Sequence, residues 1–179
     1  GGCQENVLEN TEANSRATIY LSLPGVLLMG LFPERWAELC ARDRIEIEPL
    51  AEEPGFDGFY AANLRNLRAV LRAHVDQRNR TEAEGVRFNP CPLHSATLDD
   101  CIENARDMMA GGARYNFGSV SLTGIGTLVD SLYAIRTVVF ERGLVPMAQL
   151  VGMLATDFAE EEAFCQHLAQ RIPKYGQED

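Results

Sequence analysis

Long apolar runs are absent from this chain, and so are local clusters of basic residues. The longest apolar stretch, from Ile19 to Phe32, is interrupted by polar, proline and glycine residues before it reaches the roughly 18 residues that span a bilayer. The 179 residues include 26 acidic and 16 basic side chains, which gives a formal net charge of -10. Because this charge repels phosphate backbones and anionic membrane surfaces, we expect neither a nucleic-acid nor a membrane partner.

Paired cysteines and clustered histidines are also missing. The five cysteines are Cys3, Cys40, Cys91, Cys101 and Cys165. They form no CxxC pair and no regular framework, which favours reduced thiols and a cytoplasmic protein. The three histidines, His74, His94 and His167, belong to no HExxH motif and no Cys/His cluster, so the sequence predicts no metal site.

Position 1 is glycine instead of the initiator methionine, and no charged segment leads into an apolar run. The sequence therefore shows no secretory signal. We interpret the chain as part of a longer reading frame, since neither its first residues nor its last resemble natural termini.

Hydrophobic periodicity predicts a helix-rich chain. Helices are expected over residues 24–32, 56–79, 93–104, 126–142, 146–158 and 160–172. A further helix is expected to start at Pro33, with Trp36, Leu39 and Cys40 on one face. Pro24 suits the first turn of its helix, and Gly143 suits the C-cap of helix 126–142. A short strand is predicted over residues 113–116, and an exposed connection over residues 46–55.

Cys3 and Glu5 form the first chemically suggestive group, within the tetrapeptide GCQE at residues 2–5. On an extended loop, residues two apart project to the same side, so the thiol and the carboxylate can act on one substrate. This pair suits a reaction in which sulfur abstracts one atom and a carboxylate moves a proton. On spacing alone, an ordinary loop cysteine is the more frequent explanation.

Four further blocks follow in order along the chain. They are DDCIE at 99–103, GGARYNF at 111–117, DSLYAI at 130–135 after a glycine-bearing stretch, and PKYGQED at 173–179. In this order they resemble the glycyl radical enzymes of the pyruvate formate-lyase superfamily, whose members show DDCIE-, GGAKYN-, DSLAAI- and PKYGNDD-like segments. GCQE resembles the GCVE tetrapeptide of the dehydratases and lyases in that family. The resemblance covers essentially the whole chain.

The resemblance implies an α/β fold. The chain would be part of a ten-stranded glycyl radical enzyme barrel with surrounding helices, and helix-rich in this segment. Residues 1–179 would form the C-terminal portion of a pyruvate formate-lyase-like core domain. The N-terminal half barrel and the C-terminal glycine radical domain would lie outside them.

The resemblance also implies a chemistry for the candidate catalytic residues. Cys3 would carry the thiyl radical that abstracts hydrogen from a small polar substrate, and Glu5 would be the acid/base that assists loss of water or another leaving group. The glycyl radical that oxidises Cys3 would lie on a segment absent here, installed by an activating enzyme that uses S-adenosylmethionine and an iron–sulfur cluster. The expected partners are a small-molecule substrate, this activating enzyme and a second copy in a homodimer. Gln4 stands where pyruvate formate-lyase has the second of two cysteines, which disfavours acyl transfer from pyruvate.

Arg16 departs from the family pattern and leaves two alternatives open. Its guanidinium could clamp a substrate carboxylate bidentately, although an ordinary surface arginine is as compatible with the sequence. With such a clamp, a radical decarboxylase or a member that forms or cleaves carbon–carbon bonds is the alternative to a dehydratase. A non-catalytic remnant is the other possibility. We expect the isolated 179-residue chain to be inactive and to expose apolar helix faces.

Overall fold

The computed structural model describes residues 8–13 and 18–177, except for the side chain of Thr18. The helices within these residues are α1 (Leu23–Leu31), α2 (Ala37–Asp43), α3 (Phe56–Phe88), α4 (Pro92–Ser95), α5 (Ile125–Ile135), α6 (Met147–Ala155) and α7 (Glu162–Arg171). The strands are β1 (Glu12–Ala13), β2 (Thr18–Ser22), β3 (Tyr115–Asn116) and β4 (Ser119–Thr123). Two 3-10 turns (Pro33–Trp36 and Met108–Ala110) and a π-helical segment (Arg136–Glu141) complete the regular structure described. No helix of this part of the chain is long and apolar enough to cross a membrane.

The chain divides into two compact units, each assembled from two stretches of sequence. The first contains the described part of Gly1–Leu21 together with His74–Ser121, and the second contains Ser22–Ala73 together with the described part of Leu122–Asp179. Strand β1 pairs in parallel with β3, with Glu12 opposite Tyr115 and Ala13 opposite Asn116. Strand β2 pairs with β4.

The core of the first unit is small. Its buried members are Ala13, Leu98, Cys101, Met108 and Ala113. Three of these belong to segments that carried the family resemblance or lie next to them. The core therefore holds β1 and the stretches around residues 98–113 together.

The second unit has a larger apolar core, to which α1, α3, α5 and α6 contribute. Its buried members are Leu27, Leu31, Phe32, Leu50, Phe59, Ala62, Leu132, Ile135, Val138, Val145, Met147, Leu150, Met153 and Ile172. Helix α1 begins after Ser22, whose hydroxyl accepts the Gly25 amide hydrogen at 3.2 Å, with a proline in the first turn as predicted. After the π-helical segment, Gly143 adopts the left-handed conformation (φ 57°) expected of a C-cap.

The connection between α2 and α3 is not simply an exposed loop. Leu50 is fully buried, and its amide donates to the Gly30 carbonyl at 2.9 Å. Asn66, which is 1% exposed, accepts from the Glu48 amide at 2.8 Å and donates to the Glu48 carbonyl at 2.9 Å. These bonds fasten the connection to α1 and α3.

The predicted helices over 56–79 and 93–104 differ most from the structure, and the helices predicted over 126–142 and 146–158 end earlier, at Ile135 before the π-helical segment and at Ala155. Helix α3 continues nine residues beyond Asn79, because residues 80–88 include the good helix formers Arg80, Glu82, Ala83 and Glu84 although they lack an apolar stripe. The helix predicted over 93–104 stops at Ser95. The following turns place Asp100 (φ 74°) and Ala105 (φ 47°) in the left-handed region, which an α-helix cannot include.

Candidate active-site segment

Cys3, Glu5 and Arg16, the predicted catalytic and binding residues, lie outside the described residues. The described segment Leu8–Ala13 separates Glu5 from Arg16 in the sequence. Its contacts show how this described segment is held.

Backbone hydrogen bonds attach this segment to the GGARYNF block. The Tyr115 amide donates to the Thr11 carbonyl at 3.1 Å, and the Phe117 amide donates to the Ala13 carbonyl at 3.2 Å. The Glu12 carboxylate accepts the Leu8 amide hydrogen at 3.0 Å, and Ala13 is 1% exposed. Strand β1 is thus fixed by its neighbour β3 and by the core of the first unit.

The DDCIE and GGARYNF blocks are joined by an arginine–carboxylate pair. Arg114 donates from Nε to Asp100 Oδ2 at 3.1 Å and from Nη2 to Asp100 Oδ1 at 2.8 Å. Its Nη1 also lies 3.6 Å from Asp99 Oδ2. The hydrogen bonds from Arg114, and then its charge, lower the pKa of Asp100, while the same contacts raise the pKa of Arg114.

The turn at Asp99 and Asp100 also touches the segment that follows Glu5. The Asp99 amide donates to the Asn10 carbonyl at 2.6 Å. Asn10 (φ 59°) and Asp100 (φ 74°) are both left-handed, a conformation that Asn and Asp adopt more readily than other non-glycine residues. The DDCIE and GGARYNF blocks therefore meet within the first unit, and each also contacts the described segment Leu8–Ala13.

Cys101, the cysteine of the DDCIE block, is only 3% exposed. Burial, followed by the negative charges of Asp107, Asp100 and Glu103, raises the pKa of its thiol. A raised thiol pKa makes this cysteine a weak nucleophile near neutral pH. Cys101 is therefore a structural side chain of the first core.

Asp107 organises a network that the sequence analysis did not identify. Its carboxylate accepts from the Cys91 amide at 2.9 Å and from the Met109 amide at 2.7 Å. The Ser95 hydroxyl lies 2.9 Å from Asp107 Oδ2 and accepts the Met108 amide hydrogen at 2.9 Å. An aspartate before a short helical turn is a recognisable capping signal, but its bonds to residues 91 and 95 depend on tertiary structure.

The remaining two blocks meet in the second unit. The Tyr175 amide of PKYGQED donates to Asp130 Oδ1 of DSLYAI at 2.6 Å. The neighbouring Lys174 ammonium donates to the Leu168 carbonyl at 2.7 Å. A carboxylate and a lysine that are far apart in the sequence thus fasten the segment that follows α7.

An apolar cavity of about 430 Å³ also lies in the second unit, between α1, α5, α6 and α7. Its polar lining residues are Thr127, Asp130, Ser131 and Lys174. Since Asp130 and Lys174 already bind backbone groups, the lining is suited to apolar contact and not to acid–base chemistry.

Residues 8–13 and 18–177 contain no group of three or more His, Cys, Asp or Glu placed to hold a metal ion.

Comparison with known proteins shows a consistent set of relatives. A family model described as pyruvate formate lyase-like matches residues 1–179. Trans-4-hydroxy-L-proline dehydratase of Clostridioides difficile is 31% identical over 182 aligned residues, covering 99% of this chain and 22% of the relative. Isethionate sulfite-lyase of Bilophila wadsworthia is 36% identical over 183 residues, with coverage of 99% and 22%.

A solved structure shows the same likeness. Hydroxyproline dehydratase from Clostridioides difficile, with trans-4-hydroxy-L-proline bound, superposes with a TM-score of 0.78 at 26% identity, covering 95% of this chain and 21% of that one. The chain thus spans about a fifth of the length of the relatives it matches.

Proposed function

Because this chain belongs to the pyruvate formate lyase-like family, we propose that it is a segment of a glycyl radical enzyme that eliminates water or another leaving group from a small polar substrate. The observation that carries the proposal is the GCQE tetrapeptide at residues 2–5, in a chain whose relatives are named dehydratases and lyases. Cys3 would be the hydrogen-abstracting residue and Glu5 the acid/base.

The glycyl radical would lie on a segment outside these 179 residues, and the chemistry it would supply is the withdrawal of one hydrogen atom from the Cys3 thiol. Cys3 then takes a hydrogen atom from a substrate carbon next to the carbon that bears the leaving group. In a dehydration, hydroxide leaves from that neighbouring carbon and combines with a proton from the heteroatom on the radical carbon. Glu5 carries this proton to the departing hydroxyl. Cys3 finally returns its hydrogen atom to the product.

The described residues support this assignment in one respect. A cysteine that must meet one substrate carbon needs a rigid support. Strand β1, which begins seven positions after Glu5, is fixed by two backbone hydrogen bonds to the β3 segment and by the buried Ala13.

The relatives' names support a proposal for the substrate class. Trans-4-hydroxy-L-proline and isethionate, named for two of them, each carry a hydroxyl group and an anionic group. We propose that Arg16 binds the anionic group of such a substrate, since a guanidinium matches the paired oxygens of a carboxylate or sulfonate. The longer protein would supply the N-terminal half barrel, the glycine radical domain and the surfaces for a homodimer and for the S-adenosylmethionine-dependent activating enzyme.

Product analysis of the full-length enzyme, activated without oxygen and offered small hydroxylated anions, tests the proposal. We expect a dehydrated or eliminated product, loss of activity in Cys3→Ala, and a rate lower by about 10²–10⁴-fold in Glu5→Gln. Arg16→Ala is expected to raise KM, whereas Cys165→Ala serves as a control that keeps activity. Turnover by Cys3→Ala at the wild-type rate would contradict the assignment, and release of carbon dioxide instead of water would favour the decarboxylase alternative.

A further inference from the structure

We propose, on the basis of the proposed function, that Arg114 is a positioning residue for the segment Leu8–Ala13, which follows the proposed catalytic residues in the sequence. Through the turn at Asp99 and Asp100 it fixes the strand that follows Cys3 and Glu5 in the sequence. The contacts that carry this inference all lie within the first unit.

The first step is the grip of Arg114 on the turn. Two hydrogen bonds to Asp100, at 2.8 and 3.1 Å, form a planar fork that lysine cannot reproduce. The third guanidinium nitrogen lies 3.6 Å from the Asp99 carboxylate. Asp100 is left-handed, and a non-glycine residue keeps this unfavourable conformation only where its surroundings hold it. Arg114 provides that support by binding the Asp100 carboxylate.

The second step leads from the turn to the strand. The conformation of Asp100 orients the turn so that the amide of its neighbour Asp99 meets the Asn10 carbonyl at 2.6 Å. Asn10 is itself left-handed and presents that carbonyl one residue before Thr11. If the turn relaxes, this hydrogen bond is lost.

The third step is the backbone of Arg114 itself. The next residue, Tyr115, donates its amide to the Thr11 carbonyl at 3.1 Å. The side chain of Arg114 therefore holds the turn that binds Asn10, while its backbone neighbour binds Thr11. The Asn10 carbonyl is thus bound by the turn that Arg114 holds, and the Thr11 carbonyl by the residue that follows Arg114. Together these contacts limit how the segment Leu8–Ala13 can shift relative to β3.

Hydrogen–deuterium exchange in the full-length enzyme tests the positioning role without any need for turnover. In Arg114→Ala we expect the amides of Asp99 and Tyr115 to exchange at least about tenfold faster, and in Arg114→Lys the effect should be smaller. A matched control is Arg65→Ala, because Arg65 also forms a bidentate pair, with Glu48 at 2.6 and 2.7 Å, and is similarly exposed. Arg65→Ala should leave the exchange rates of the Asp99 and Tyr115 amides unchanged.

Asp100→Asn provides a second route to the same test, since it weakens the pair while it preserves the side-chain shape. If Arg114→Ala loses its native circular dichroism, Asp100→Asn is the variant that decides. Wild-type exchange at Asp99 and Tyr115 in a folded variant of either kind would overturn the proposal.

Steady-state kinetics of the full-length enzyme separate positioning from general stability. We expect Arg114→Ala to lower kcat by about tenfold or more while KM changes by less than about twofold, because misplacing a reacting group affects the chemical step most. An unchanged kcat in an active enzyme would overturn the proposal. If the wild-type enzyme eliminates nothing from any substrate, the proposed function fails, while the exchange result still decides whether Arg114 holds the strand.

Discussion

Asp99 and Asp100 are adjacent and chemically identical, yet they have different tasks in the structure. Asp99 offers its backbone amide to Asn10, whereas Asp100 offers its carboxylate to Arg114. The sequence identified both as members of a family block but could not distinguish them, because the difference arises from the left-handed backbone of Asp100. Arg114 was recognised only as part of the same pattern.

Cys101 provides a residue-scale prediction. Its thiol pKa is raised by burial and by nearby carboxylates, so it stays protonated at pH values where an exposed thiol begins to ionise. We expect iodoacetamide at pH 8 to alkylate Cys101 much more slowly than the half-buried Cys91 and Cys165, as measured by mass spectrometry of peptides over time.

The raised pKa of Cys101 also determines how folding stability changes with pH. A raised pKa in the folded chain means that the unfolded chain releases the Cys101 proton first, so this group makes folding less favourable as pH rises through the unfolded pKa. Cys101→Ser should therefore show a weaker loss of stability than the wild type between about pH 8 and pH 10. Equal alkylation rates for Cys101 and Cys165 in the folded chain would contradict the buried, protonated assignment.

At the scale of elements, apolar periodicity was sufficient to predict the presence of α1, α5 and α7. It was insufficient where polar residues or tertiary hydrogen bonds determine where a helix ends. The end of α3 has no apolar stripe, so its helical state rests on propensity. The turns after Ser95 depend on Asp107, which is twelve residues away. The parallel pairing of β1 with β3 joins segments about a hundred residues apart, which local pattern cannot show. The family resemblance, and not periodicity, predicted the fold, and the superposition with the hydroxyproline dehydratase confirms it.

Two glycines give an element-scale prediction with opposite signs. A side chain at Gly85, within α3, would meet nothing within 4 Å, so Gly85→Ala should stabilise the chain by about 0.5–1 kcal/mol through better helix propensity. Gly143 has φ 57°, so Gly143→Ala should destabilise it by about 1–2 kcal/mol.

Urea unfolding followed by circular dichroism measures both changes. Gly143→Asn is the matched control, since asparagine tolerates the left-handed region and should recover part of the loss. Destabilisation by Gly85→Ala would show that residues 80–88 are not helical in solution.

At the scale of the whole molecule, the described residues leave much apolar surface uncovered. In β4, Val120 and Leu122 are 40% and 53% exposed, while Ser119 and Ser121 are half-buried, the reverse of the usual orientation of a surface strand. Leu93 and Phe117 are also exposed. Such surfaces mark places that other parts of a protein normally cover.

We therefore expect the 179-residue chain to bind the dye ANS and to elute in gel filtration at a size that grows with concentration. Val120→Ser combined with Leu122→Ser should reduce both effects. Leu144→Ser is the control, because Leu144 is similarly exposed (50%) but lies in a turn away from β4 in the sequence. A monomer at every concentration, with no dye binding, would contradict this expectation.

The parallel pairing of Glu12 with Tyr115 also has a consequence for biosynthesis. On the ribosome, the segment that follows Cys3 emerges first, but its partner strand is translated about a hundred residues later. At roughly 5–20 residues per second, this delay lasts about 5–20 seconds. Throughout that interval strand β1 lacks its partner β3, while the predicted catalytic thiol of Cys3 has already been translated. We therefore expect the nascent chain to be most sensitive to oxidants and to non-native contacts before residues 115–117 are translated.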